Sequence, residues 1–467
     1  MNKHKEATYH RYHIEIKHAS HIVPHPHRFH VKVKKLGLAK LLLKEILHFR
    51  GNWKVISSRP CVYGVFSGPV GGFAPREKLC VGCLRCTTEH PEFVTVSHNE
   101  ERKKLGDTYF LPELIDTVVN EAETGRIPIK GAGYRGTFGG KGWDGMWTDM
   151  SEIVRPTRDG IHGREFISTD VDIGGKPPYL KFDAQHRPIG AMPHTHGIPL
   201  PLLFDTLPSN VLTEKLCHSV AKAAQKLQTF AILPLKKIKE FSLRESSVIP
   251  LIYPHEYEQF NQCHLSPVML ELEGWDEKVY QDFRLHYPNS QLILRTDFES
   301  DLLAYYKAGV RTFHLIADYH GRGRDGKFVL DLIKKAHNSF VKAKCRNEVT
   351  LLGSGGIIAA EHVPKAMICG LDAIVLDTPV LVALQAKFHG DCRNREECHF
   401  ELPAQLTVEW GQQRLKNLAC AWRDQLLEIM GAMGIREVRR IRGEMGRAMF
   451  QHDLEREAFS GITGYAE

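Results

Sequence analysis

From about residue 198 onward, short apolar runs alternate with stretches whose apolar residues recur every three or four positions, the pattern of repeated βα units. Eight runs predict strands: Pro199–Asp205, Phe230–Leu235, Val248–Tyr253, Pro267–Glu271, Gln291–Thr296, Thr312–Asp318, Val349–Ser354 and Ala373–Asp377. Helices are expected between most of them. Val211–Leu227 lines Leu212, Leu216, Val220, Ala223 and Leu227 along one face. Glu299–Ala308 runs into Gly309, a helix stop, and Phe328–Val341 and Ala360–Cys369 continue the series. Eight units in about 180 residues suit the closure of a (β/α)₈ barrel, an α/β fold. A doubly wound sheet is the alternative, and eight successive units fit it less well.

Outside this region the pattern is weaker. Phe29–Val33 alternates like a strand, and Lys35–His48 and Leu111–Glu123 read as helices, the second ending near Gly125. Residues 51–75 are rich in Gly and Pro, and residues 126–190 are glycine-rich and irregular. Leu406–Phe450 reads as mainly helical, with Leu418, Trp422, Leu426, Ile429 and Met433 on one face of Asn417–Met433. The expected division is a basic, His-rich start (1–75), a cysteine-bearing segment (76–110), a linker (111–190), the barrel with its C-terminal helices (191–450) and a tail (451–467).

Composition narrows the class. With 42% hydrophobic and 25% charged residues in 467, the chain reads as globular with two or three domains. No apolar run is long enough to span a bilayer, and no signal peptide is apparent, so a cytoplasmic protein away from membranes is expected. The net charge of +7 owes much to the first 50 residues, but no nucleic-acid recognition motif accompanies it, so no nucleic-acid partner is expected. Eight histidines fall in the first 30 residues at irregular spacing; an exposed segment is expected there, with metal binding the minority reading.

Three of the 11 cysteines sit within seven residues, as Cys80-Val-Gly-Cys83-Leu-Arg-Cys86 followed by Thr-Thr-Glu-His90-Pro91. Two successive two-residue spacings curl the backbone so that three sulfurs point inward, as in ferredoxin-type iron–sulfur sites. Such a run ends in Cys-Pro, whereas here His90 precedes Pro91. Three thiolates suffice for a 3Fe-4S cluster. A 4Fe-4S cluster needs a fourth ligand, for which Cys61, His90 or a more distant cysteine are candidates. Zinc is the competing reading, although it usually takes two separated ligand pairs.

The seventh run ends in Gly353-Ser354-Gly355-Gly356-Ile357 and is followed by a helix. Glycines there let backbone N–H groups approach a phosphate, as after strands 7 and 8 of a barrel. The competing reading is a tight turn without a ligand. Charged residues at other strand ends are candidates for the rim: Asp205, Glu271, Glu273, Arg295, Asp297, and Asp318-Tyr-His320-Gly-Arg322-Gly-Arg324. Of these, Arg295, Asp318 and His320 are the catalytic candidates. Trp143, Trp147, Arg155, Arg158 and His162 in the glycine-rich linker read as packing over the barrel mouth.

These motifs resemble archaeal-type glutamate synthase. Cys80–Pro91 looks like its ferredoxin segment, and Gly353–Ile357 like its flavin-phosphate loop. Met192–Thr229, with Pro201-Leu-Leu-Phe-Asp205, is similar to its first βα unit, and Asn417–Met433 to its C-terminal helix. The resemblance implies an FMN-bound barrel fed through iron–sulfur clusters that reduces 2-iminoglutarate to glutamate. It implies that Ser354, Gly355, Gly356, Ile357, Thr378 and Arg295 hold the FMN, with an electron donor such as ferredoxin or a reductase subunit, and with homo-oligomerisation compatible. Without a glutaminase half, ammonia is expected free or from another subunit. Two departures carry an alternative. Asp377-Thr378-Pro379 stands where the family has a phosphate-admitting glycine, and Pro403 where a third cysteine would follow Cys392 and Cys398. A barrel that has lost its flavin, or a zinc-bound binding module, are the alternative readings.

Overall fold

The computed structural model describes residues 14–57, 61–127, 140–148, 166–176, 181–189, 195–263, 265 and 267–464. The eight expected runs become eight parallel strands: β1 (Leu202–Phe204), β2 (Ala231–Pro234), β3 (Val248–Ile252), β4 (Met269–Glu273), β5 (Gln291–Asp297), β6 (Thr312–Ile316), β7 (Thr350–Ser354) and β8 (Ala373–Leu376). Each pairs with the next, and β8 returns to β1 through Ile374 opposite Leu202 and Leu376 opposite Phe204, so the sheet closes. Closure leaves no strand edge exposed. The strands are correspondingly apolar and buried.

Local chemistry sets the helix ends. The helix Glu214–Leu227 starts three residues later than its apolar pattern, because Thr213 turns its hydroxyl to the Leu216 amide as an N-cap. Asp301 caps Leu302–Lys307 in the same way. The long C-terminal helix runs Val408–Ala432, nine residues ahead of its amphipathic part. Its front carries Gly411, where a Cβ would lie 2.5 Å from the Ser219 hydroxyl, so this glycine permits the close crossing of two helices. A further helix, Gln451–Phe459, occupies the expected tail.

The N-terminal region forms a small unit of its own. Phe29–Val33 pairs antiparallel with Val94–His98, and Val31, Val65, Cys80, Phe93 and Val94 make its core. The strand pairing joins the two sides of residue 75, so the His-rich start and the cysteine segment are one body. The described parts of the linker carry short strands: Met146–Thr148 pairs with Ala448–Phe450, and Val171–Ile173 with His196–Ile198. Arg155, Arg158 and His162 lie outside the described residues.

One buried arginine ties these layers together. Arg414, fully buried in the long helix, donates to the carbonyls of Ala19, Val119 and Ala383. These belong to the N-terminal strap, the helix Pro112–Thr124 and the helix Thr378–Ala383 after β8. Asn417 adds bonds to the carbonyls of Lys17 and Ala122. Replacing Arg414 by Leu removes three buried hydrogen bonds from a charged donor, a loss of about 3 kcal/mol. The expected outcome is a clear fall in the thermal unfolding temperature measured by circular dichroism, with Arg414→Lys intermediate.

Candidate functional site

At the C-terminal end of the barrel, polar residues interrupt strands that are otherwise apolar. Arg295 of β5 is 3% exposed and donates through Nη1 to Asp205 Oδ1 at 2.7 Å and to Glu271 Oε1 at 2.9 Å. His314 of β6 places Nδ1 2.9 Å from Glu271 Oε1 and Nε2 3.0 Å from the Ser354 hydroxyl. From outside the barrel, Arg395 reaches in between β1, β7 and β8. It donates to Asp205 Oδ2 (3.2 Å), Ser354 Oγ (3.1 Å), Asp377 Oδ2 (2.7 Å) and the Ala317 carbonyl (2.8 Å). Its guanidinium lies 4.6 Å from the centre of the Tyr319 ring.

These contacts set the protonation of the mouth. Burial alone would raise the Asp205 carboxyl, but Arg295, His314 and Arg395 hold it below the usual carboxylate range. Burial would likewise lower Arg295, yet Asp205 and Glu271 keep it well above its ordinary value. Asp377 shows the opposite balance: burial pushes its carboxyl up, and the neighbouring Arg395 only partly offsets this. Burial also raises Glu273, against the pull of Arg295.

Two buried polar atoms of the network, Arg295 Nε and Glu271 Oε2, have no hydrogen-bond partner among the described residues. Such atoms are costly unless water or a ligand meets them.

The turn after β7 is buried from Gly353 to Ala360. Gly355 has φ 96° and a Cβ there would lie 2.6 Å from the Asp318 carbonyl, so the glycine serves the packing of the chain on itself. The Gly356 carbonyl accepts from Tyr109 Oη at 2.6 Å and Trp143 Nε1 at 2.8 Å. This pins the carbonyl outward. The amides of Gly355, Gly356 and Ile357 donate to no acceptor among the described residues. These amides are the donors a flavin phosphate would need, at a turn that the chain itself buries. After β8 the donors are taken: Asp377 Oδ1 accepts from the Thr378 amide at 2.6 Å and from its hydroxyl at 3.1 Å.

The other rim candidates hold loops together. Asp318 binds the Arg322 amide and Arg393 Nε. His320 Nε2 lies 2.9 Å from Asp107 Oδ2, with its ring stacked on Tyr109. Arg295 thus sits in the mouth, whereas Asp318 braces its own loop and Arg393, and His320 anchors the strap that carries Asp107 and Tyr109.

Four thiols meet in the N-terminal unit. Cys61, Cys80, Cys83 and Cys86 lie close enough to perturb one another; burial first, then these neighbours, push the Cys80 and Cys86 thiols up. The loop curls through left-handed Gly82 (φ 69°) and Leu84 (φ 62°). The Gly82 backbone bonds to Cys80, and the Thr87 backbone to Cys86. No three of these sulfurs fall within 4.8 Å of one another. A zinc ion with bonds of about 2.3 Å would hold them about 3.8 Å apart. His90 instead stacks on Phe93 and points Nδ1 toward Glu92. Cys392 and Cys398 are buried beside each other, with the Cys392 amide on Asp107.

The conserved region of glutamate synthase matches residues 325–436. Over 447 residues the chain is 22% identical to the archaeal-type glutamate synthase (NADPH) of Dehalococcoides mccartyi, covering 79% of this chain and 86% of that one. The similarity to an archaeal-type glutamate synthase thus runs along most of the chain. The archaeal glutamate synthase (NADPH) of Methanocaldococcus jannaschii is 35% identical over 109 residues, 22% of this chain and 21% of that protein. Mandelate oxidase aligns with 63% of this chain and 98% of its own at 13% identity and a TM-score of 0.38. No helix among the described residues is long and apolar enough to cross a membrane.

At the barrel mouth, sequence reasoning missed Arg395, His314, Asp107 and Tyr109. A charged or imidazole residue inside an apolar strand, as in Thr312-Phe-His314-Leu-Ile316, was the available signal for His314. Arg395 had none, because its partners are brought to it only by barrel closure.

Removing Arg395 as Arg395→Met leaves Asp377 buried without its cation and Asp205 with Arg295 alone, a loss of about 3–5 kcal/mol near neutral pH. Their folded carboxyl groups then titrate higher, so the variant gains relative stability as pH falls from about 7 toward 4. The expected outcome is a gap between variant and parent unfolding temperatures that is widest at neutral pH and narrows in acid. A pH-independent gap speaks against the ion pair.

Proposed function

We propose that this chain is an iron–sulfur flavoprotein oxidoreductase of glutamate synthase type. It would reduce 2-iminoglutarate, formed from 2-oxoglutarate and ammonia, or a similar imino acid. The observation that carries this reading is the set of unpartnered polar groups at the C-terminal end of the barrel: the amides of Gly355 to Ile357, Arg295 Nε and Glu271 Oε2. In a (β/α)₈ barrel that end is where ligands bind.

FMN, when bound, supplies hydride transfer to the substrate carbon. The chain's own residues would hold its phosphate at Ser354, Gly355, Gly356 and Ile357. Arg295, kept rigid by Asp205 and Glu271, would face the negative charge of flavin or substrate carboxylate. Tyr109 and Trp143 would fix the turn and exclude water from it. Cys61, Cys80, Cys83 and Cys86 would hold a 4Fe-4S cluster, a reading supported by their spacing in the sequence and by the mutual perturbation of their thiols. Electrons would come from a ferredoxin or a reductase subunit, and ammonia from solution or a glutaminase partner.

A second reading is favoured by one contact set. Asp377 and Arg395 occupy the donors and the space that a flavin would use after β8. On this reading the barrel is kept as a scaffold without flavin beside the iron–sulfur unit.

Anaerobic purification with iron, sulfide and flavin quantified separates the two. The first reading expects FMN at one per chain together with about four iron and four sulfide. Iron and sulfide without flavin supports the second, and zinc in place of iron defeats both. Cys61→Ser should lose most of the iron and the visible absorbance, while His90→Ala retains them.

A further inference from the structure

Three ligand atoms meet at one point on the face of the N-terminal unit. His27 Nε2 lies 2.7 Å from Glu77 Oε2, His30 Nδ1 lies 3.3 Å from the same oxygen, and the two ring nitrogens are 3.3 Å apart. The rings stand nearly perpendicular, at 89°. The second carboxylate oxygen, Oε1, accepts the Val31 amide at 2.6 Å, which fixes the rotation of the carboxylate. All three side chains are partly exposed, so the point is open to solvent.

Hydrogen bonding alone uses this arrangement poorly. Each ring nitrogen carries one proton or one lone pair, directed in the ring plane, so at most two of the three contacts can be hydrogen bonds. A metal ion satisfies all three atoms at once. Bonds of about 2.0–2.1 Å separate neighbouring ligands by about 3.3 Å in a tetrahedral site and about 2.9 Å in an octahedral one. The observed separations of 2.7 to 3.3 Å span that range.

We propose that His27, His30 and Glu77 bind a divalent transition-metal ion of the zinc class, with at least one coordination position left to water. The site joins the strand Phe29–Val33 and its approach to the short helix Glu77–Leu79, which leads directly into Cys80. Its role is to clamp the entry of the cysteine loop. The inference rests on neither the flavin nor the iron–sulfur reading.

The test is anaerobic titration of the purified full-length chain with Co²⁺, followed by displacement with Zn²⁺. Cobalt on imidazole and carboxylate gives weak visible bands and lacks the intense near-ultraviolet charge transfer of cobalt on thiolate, so the cysteines report separately. The expected result is one equivalent of the first kind of site, retained in Cys83→Ser. Affinity should fall about a hundredfold or more in His30→Gln and in Glu77→Gln. His27→Gln serves as a second check, since it leaves the Glu77–Val31 bond in place. Far-ultraviolet circular dichroism of each variant should match the parent. Absence of the imidazole–carboxylate spectrum in the parent chain overturns the proposal, as does a spectrum that all three substitutions leave unchanged.

Discussion

The mouth of the barrel is organised by the need to neutralise buried charge. Arg295 and Asp205 are almost fully buried, and Arg395 and Asp377 join them. An unpaired ion at such depth costs several kcal/mol, so each of these groups requires the others. Arg395 belongs to the segment after the helix Thr378–Ala383, and that segment must therefore lie across the strand ends. Phe388 and Phe400 on its two short strands pack edge to face, and Phe388 meets Phe110 of the strap. The electrostatics of the mouth thus determine where an otherwise irregular segment folds.

The same strap links the thiol bay to the barrel. Only a short stretch separates the strand Val94–His98 from Asp107 and Tyr109, which grip His320 and the Gly356 carbonyl. Asp107 also receives the Cys392 amide. The cysteine unit is therefore fixed against the barrel rim by polar contacts at both ends of one loop. Such rigid placement is what electron passage between two centres would need, because the separation between them is held constant.

The barrel strands were legible because closure demands apolar residues on every strand, and that demand leaves runs such as Val349–Ser354 in the sequence. Helix ends were less so. Thr213 and Asp301 decide them through side-chain bonds that the apolar periodicity ignores. The front of Val408–Ala432 escaped notice because Gly411 and Arg414 are used for close packing and carbonyl capping, not for an apolar stripe. Cys80, Cys83 and Cys86 announce themselves by spacing, while the placement of Cys61 beside them depends on a fold-back through the glycine-rich loop. The convergence of His27 and His30 on Glu77 was invisible for the same reason: the carboxylate is far away in sequence, and only the pairing of Phe29–Val33 with Val94–His98 brings the segments together.

The charge count of the mouth constrains what can enter it. Two guanidinium groups, Arg295 and Arg395, face three fully buried carboxylates, Asp205, Glu271 and Asp377, and the partly exposed Glu273. A phosphate dianion added to that set would sit among an excess of negative charge at low dielectric, where repulsion is strong. The carboxyl with the least support is Asp377, which burial already pushes toward its protonated form. A proton on Asp377 would remove one negative charge, while Asp205, Ser354 and the Ala317 carbonyl would still hold Arg395 at the mouth. An anion held at the turn would therefore favour the protonated form of Asp377, and that form would in turn favour the anion.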